Sequence, residues 1–104
     1  MDSRYSPRMA VIPTATTTDA SGAQTGANIV ALAANTLRVG LIIGNNSAAN
    51  LMYVNFGAAA VVGGAGSIPI PFGTYLNLAN QALPSETVEI IGTLGDAYTV
   101  KELT

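Results

Sequence analysis

Between Arg38 and Glu86 the chain carries no charged side chain, and from Ala20 to Ser85 its only charge is Arg38. A soluble domain usually draws about a quarter of its residues from Asp, Glu, Lys and Arg; this one draws 10%. Charge keeps a surface hydrated and holds molecules apart. A neutral stretch of this length therefore fits three situations. The chain lies in a membrane, or it is disordered, or it folds and much of its surface is covered by another protein.

Run length argues against the membrane. A spanning helix needs about 20 mostly apolar residues. The run from Val39 to Ile43 is stopped by Gly44-Asn45-Asn46-Ser47, and the run from Phe56 to Val62 meets Gly63-Gly64. Arg4 and Arg8 are followed by Pro13 and a threonine run, not by the apolar core of a signal peptide. Disorder is disfavoured because branched apolar residues are abundant and the net charge is only −2. Covered protein surface is the explanation left.

A chain of 104 residues suits one domain and buries roughly two-thirds of its unfolded surface. Its 49% hydrophobic content is rich in alanine, which predicts a thin core such as that between two packed sheets. Arg4, Arg8, Arg38 and Lys101 are scattered, so no nucleic-acid footprint is expected. No cysteine and no histidine are present. Disulfides, thiol chemistry and the commonest general base and metal ligand are thereby lost.

Residues 1–26 hold Pro, Thr, Ser and Gly with no persistent period. They read as an extended N-terminal arm, with one short strand around Met9 to Ile12. Tyr5, Met9, Val11 and Ile12 would anchor such an arm on a neighbour; without that contact the arm is a loose terminus. Residues 27–104 read as the folded domain. Asn28 to Ala33 forms a strand or a single helical turn. In Thr36 to Ile43 the residues Leu37, Val39, Leu41 and Ile43 share one face of a strand. Gly44-Asn45-Asn46-Ser47 supplies turn residues tolerant of positive φ. Leu51 to Phe56 follows as a strand, and its nearness predicts an antiparallel pair with the preceding one.

Gly57 to Gly66 reads as a loop. Ser67 to Ile70 and Thr74 to Leu78 read as strands at a sheet edge or bend, since Pro69 and Pro71 cannot donate to a ladder. Thr87 to Ile91 and Tyr98 to Leu103 complete the series. The predicted fold is all-β, a small antiparallel β-sandwich or barrel with an extended N-terminal arm.

Chemistry finds little support in the residues. The usual triads cannot be assembled without His or Cys. Glu86 and Glu89 fall on opposite faces of a strand, and Lys101 and Glu102 look like edge-strand charges that discourage aggregation. Asp19 and Asp96 stand alone, so no metal site is expected. Gly63-Gly64-Ala65-Gly66-Ser67 lacks the lysine and helix of a phosphate loop and reads as a flexible hairpin connection. Asn45-Asn46-Ser47 matches a glycosylation sequon that arises often by chance. Tyr53, Tyr75 and Tyr98 can stack on a sugar or base, but half-buried strands use tyrosine without any ligand. Arg38 reads as an exposed residue on the solvent face; if buried it must pair, with carbonyls or with Glu89 or Glu102.

Arg38-Val39-Gly40-Leu41-Ile42-Ile43-Gly44-Asn45-Asn46-Ser47, followed by Tyr53-Val54-Asn55-Phe56-Gly57, resembles a pattern in small structural proteins of tailed bacteriophages. The likeness continues through the glycine-rich loop and a proline turn to Val88-Glu89-Ile90-Ile91-Gly92 and Val100-Lys101-Glu102, covering about residues 36–102. The chain is similar to β-sandwich virion proteins, among them head decoration or cement proteins. The resemblance implies a homo-oligomer, a trimer, clamped on the major capsid protein at the capsid surface, with the arm in intersubunit contacts. Few aromatics and the neutral middle depart from that pattern. The expected contact residues are Tyr5, Met9, Val11, Ile12, Arg38, Val61 and Val62. No enzyme activity, cofactor, nucleic acid or membrane is expected. The alternative is a tail or cell-surface module that recognises a glycan or a protein receptor, with tyrosines exposed beside Asn45, Asn46 or Asn55.

Overall fold

The computed structural model describes residues 14–79 and 82–104. Their strands are β1 (Thr17–Asp19), β2 (Gly22–Ala23), β3 (Ile29–Leu32), β4 (Gly40–Asn45), β5 (Met52–Phe56), β6 (Ile68–Ile70), β7 (Tyr75–Ala79), β8 (Val88–Ile91) and β9 (Ala97–Leu103). Two antiparallel sheets pack face to face as a β-sandwich. One is five-stranded in the order β1-β9-β4-β7, with β2 on β9, and the other is four-stranded in the order β3-β8-β5-β6.

Alternation assigns the faces. In β4 and β9, Leu41, Ile43, Tyr98 and Val100 point inward; in β5 and β8, Met52, Val54, Val88 and Ile90 do so. Seven of these, Leu41, Ile43, Met52, Val54, Val88, Ile90 and Val100, are fully buried. These are medium-sized side chains, so the core is as thin as the composition predicts.

The strand spacing leaves pairing open, and one predicted pair is wrong. β4 and β5 belong to opposite sheets; β4 pairs with β7 and β9, and β5 with β6 and β8. Their apolar faces meet across the core instead of lying side by side, and the same alternation serves either arrangement. Asn45 shows what turns the chain. It ends β4 and is buried, and its side-chain amide donates to the carbonyls of Asn50 and Ile70, both at 2.8 Å. The Asn45 Oδ1 accepts from the Ser47 N–H, and the Ser47 Oγ accepts from the N–H groups of Ala49 and Asn50. The Asn and Ser of this turn act through side-chain hydrogen bonds.

The predicted arm is partly strand. Thr17–Asp19 pairs with Leu103, Glu102 and Lys101, and Gly22–Ala23 pairs with Tyr98 and Ala97. Between them the Val100 N–H donates to Ser21 Oγ, and Ser21 donates through both N–H and hydroxyl to Asp19, holding that carboxyl below its ordinary value. Short Thr- and Ser-rich segments of this kind carry no readable period. The strand predicted around Met9 to Ile12 lies outside the described residues. β9 is not an edge strand. It runs between β4 and the β1/β2 pair, so Lys101 and Glu102 do not guard an edge. The edge prediction does hold for β6 and β7, each terminal in its sheet.

Gly44 sits opposite Tyr75 in the β4–β7 ladder. A Cβ built at Gly44 would overlap the Tyr75 ring, which lies across the strand and donates its hydroxyl to Asn46 Oδ1 at 2.6 Å. Overpacking of this kind costs about 1–3 kcal/mol. Gly44→Ala is expected to lose that much stability in urea unfolding, and to lose far less when Tyr75 is also replaced by Ser.

Candidate functional site

Arg38 precedes β4 and lies inside the molecule, its side chain only 1% exposed. The expectation of a solvent-facing arginine is therefore corrected. Its Nε donates to Glu102 Oε2 at 2.7 Å. One terminal nitrogen donates to the carbonyls of Pro84 and Glu86, and the other to the carbonyl of Ala33. Asn35 donates to the second Glu102 oxygen at 3.2 Å. The Arg38 headgroup thus joins β9 of one sheet to the segments flanking β3 and β8 of the other. A buried guanidinium is tolerated only when its fork of donors is matched in this way. All of these Arg38 hydrogen bonds lie within the chain.

Asn45 does the same work at the opposite end of β4, tying that strand to β6 through Ile70. It is 2% exposed, which places the asparagine of the sequon out of reach of modification. Sequence reasoning missed this pin. Its only signal was an Asn following an apolar strand whose inward face it continues.

The glycine-rich segment leaves β5 and folds back over the outer face of the four-stranded sheet. Asn55 and Glu89 point outward on that sheet. Asn55 donates to the carbonyl of Ala59 and Asn28 accepts from the N–H of Ala60, which is 2% exposed. Ser67 Oγ accepts from Val61 N–H, and turns close from Gly64 to Val61 and from Ser67 to Gly64. The expected hairpin connection is present, since β5 and β6 pair antiparallel on either side of it, and hydrogen bonds pin it as a flap. Its large apolar residues, Val61 and Val62, are 55% and 65% exposed, and Val30 of β3 adds 58% on the same face. The carboxylate on that face, Glu89, accepts from Asn28 at 2.9 Å and from Thr87 at 2.7 Å. An apolar surface whose acid is already hydrogen-bonded can be covered by another protein without stranding a charge.

A second apolar exposure lies at the Asn45 end, where Leu51, Phe72 and Leu94 project from neighbouring turns. Leu37 and Val39, expected on the buried face with Leu41 and Ile43, are 73% and 58% exposed because β4 begins only at Gly40. Arg38 takes the inward place between them. Of the other predicted contact residues, Tyr5, Met9, Val11 and Ile12 lie outside the described residues.

Tyr53, Tyr75 and Tyr98 do not gather. Tyr98 is in the core, Tyr53 is half-buried on the four-stranded sheet, and Tyr75 is exposed on the five-stranded one. Among the described residues no group of three or more Asp or Glu is placed to hold a metal ion. No helix among them is long and apolar enough to cross a membrane. No protein-family model, curated protein or solved structure matches the chain.

Removing one member of a buried ion pair typically costs about 3–5 kcal/mol, and each kcal/mol moves Tm by about 4–8 °C in a domain of this size. Arg38→Ala is therefore expected to lower Tm by at least about 12 °C. Replacing Arg38 by Met together with Glu102 by Leu is expected to recover much of that loss, which differential scanning calorimetry reads directly.

Proposed function

We propose that this protein is a structural component of a virion, a capsid decoration protein that acts as a homotrimer bound to the major capsid protein of a phage head. The observation that carries the proposal is the outer face of the four-stranded sheet. There Val30, Val61 and Val62 are more than half exposed, and Glu89 is already capped. Apolar residues held outward on a pinned flap are costly for a free monomer and suit a permanent contact. The resemblance to small phage β-sandwich proteins supports the same reading. Its work is contact, not catalysis.

The glycan-binding alternative requires grouped, exposed tyrosines beside asparagine. Tyr75 with Asn46 is such a pair, while Tyr98 and Asn45 are buried.

The test is a cryo-EM reconstruction of particles of the virus that encodes the chain. Density for the sandwich on the head exterior, with Val61 and Val62 against a neighbour, is expected. Density on the tail, or none on the particle, overturns the proposal. Val61→Asp with Val62→Asp is expected to change folding stability by no more than about 0.5 kcal/mol and to abolish attachment.

A further inference from the structure

The last strand of a sheet presents a row of unpaired backbone N–H and C=O groups, and proteins blunt such edges with charge, proline, bulges or short strands. Here the edges are blunted unequally. β1 is three residues long and carries Asp19, and β2 is two residues long. β3 loses register with β8 between Val30 and Leu32. β6 holds Pro69 and is followed by Pro71. β7, Tyr75-Leu76-Asn77-Leu78-Ala79, has no charge, no proline, and an unbroken register with β4 along its whole length.

The ladder shows which groups of β7 face outward. Asn45 gives its N–H to the Thr74 carbonyl at 2.9 Å, on the β7 side, and Asn46 gives its N–H to the Ala97 carbonyl at 3.1 Å, on the β9 side. Bonding alternates along an antiparallel strand. Ile43 and Leu41 therefore bond Leu76 and Leu78, while Tyr75, Asn77 and Ala79 turn their N–H and C=O groups to the edge. Among the described residues no strand pairs with β7 on that side. The Tyr75 ring is drawn off the edge, over Gly44 and onto Asn46.

We infer that β7 pairs antiparallel with β7 of a second copy, about a two-fold axis at Asn77. The outward-bonding positions 75, 77 and 79 are symmetric about Asn77, so each finds its match on the other copy. On the outer face Asn77 meets Asn77, amide to amide, and the large Tyr75 meets the small Ala79. On the inner face Leu76 stands opposite Leu78. Both leucines pack against the core and are only half-buried, so the pairing covers what they still expose. The seam brings no two charges together. A second copy fits this edge because the edge is complementary to itself, and the two five-stranded sheets become one. A two-fold contact does not close a trimer. The pairing therefore goes beyond the proposed homotrimer: it joins trimers in twos, or makes a plain dimer if that reading fails.

Asn77→Lys places like charges opposite each other across the axis, at an exposed position whose backbone bonds to β4 it leaves alone. In sedimentation velocity of the full chain, the unaltered protein is expected to have twice the mass of this variant. Whether the variant then holds three copies or one reads the trimer separately. Hydrogen exchange of the unaltered protein gives a second measure. The Asn77 and Ala79 amides are expected to be protected where the copies are paired, and to exchange freely wherever dilution or the substitution has halved the mass. Equal mass in the two proteins overturns the inference, as do amides that exchange freely in the concentrated protein. Amides that stay protected after the mass has halved also overturn it, because another segment of the same chain then covers the edge.

Discussion

The sandwich depends on the buried contact between Arg38 and Glu102. Two thin sheets with medium-sized aliphatic side chains between them have little area to hold them in register. One arginine supplies directional bonds to both layers at one end, and Asn45 supplies them at the other. Such a pair is not a large source of net stability, because desolvation offsets most of the Coulomb attraction. Its weight lies in the asymmetry of loss. Either partner alone is a buried, unmatched charge, so the arrangement admits few alternatives.

Burying Arg38 changes the meaning of the neutral stretch. The single charge between Ala20 and Ser85 is withdrawn into the interior, so everything this stretch shows to solvent is uncharged. What it shows includes Val30, Leu37, Val39, Leu51, Val61, Val62 and Phe72. Charged residues stand on both sheets: Lys101 and Asp19 on β9 and β1, and Glu89 on β8.

Strands β4, β5 and β8 were legible because each obeys period two: Leu41 and Ile43, Met52 and Val54, Val88 and Ile90. Pairing was not, because β4 and β5 present the same alternation whether they lie side by side or across the core. Arg38 was misplaced for a related reason. Once alternation is assumed to begin at Thr36, Leu37 and Val39 go inward and the arginine outward. The strand begins at Gly40, and the residues before it follow the demand of Glu102 for a partner instead. The pinned flap was hidden because one anchor, Asn28, is distant in sequence, and the other, Asn55, is ordinary in type. Val61 and Val62, expected as contact residues, are exposed on it.

The central claim is that the surface of the uncharged stretch is covered in part by other copies of the chain. Sedimentation velocity of the full chain over a wide concentration range tests it most directly. A defined oligomer that persists on dilution to low micromolar concentration is expected. A soluble monomer at high concentration would contradict it.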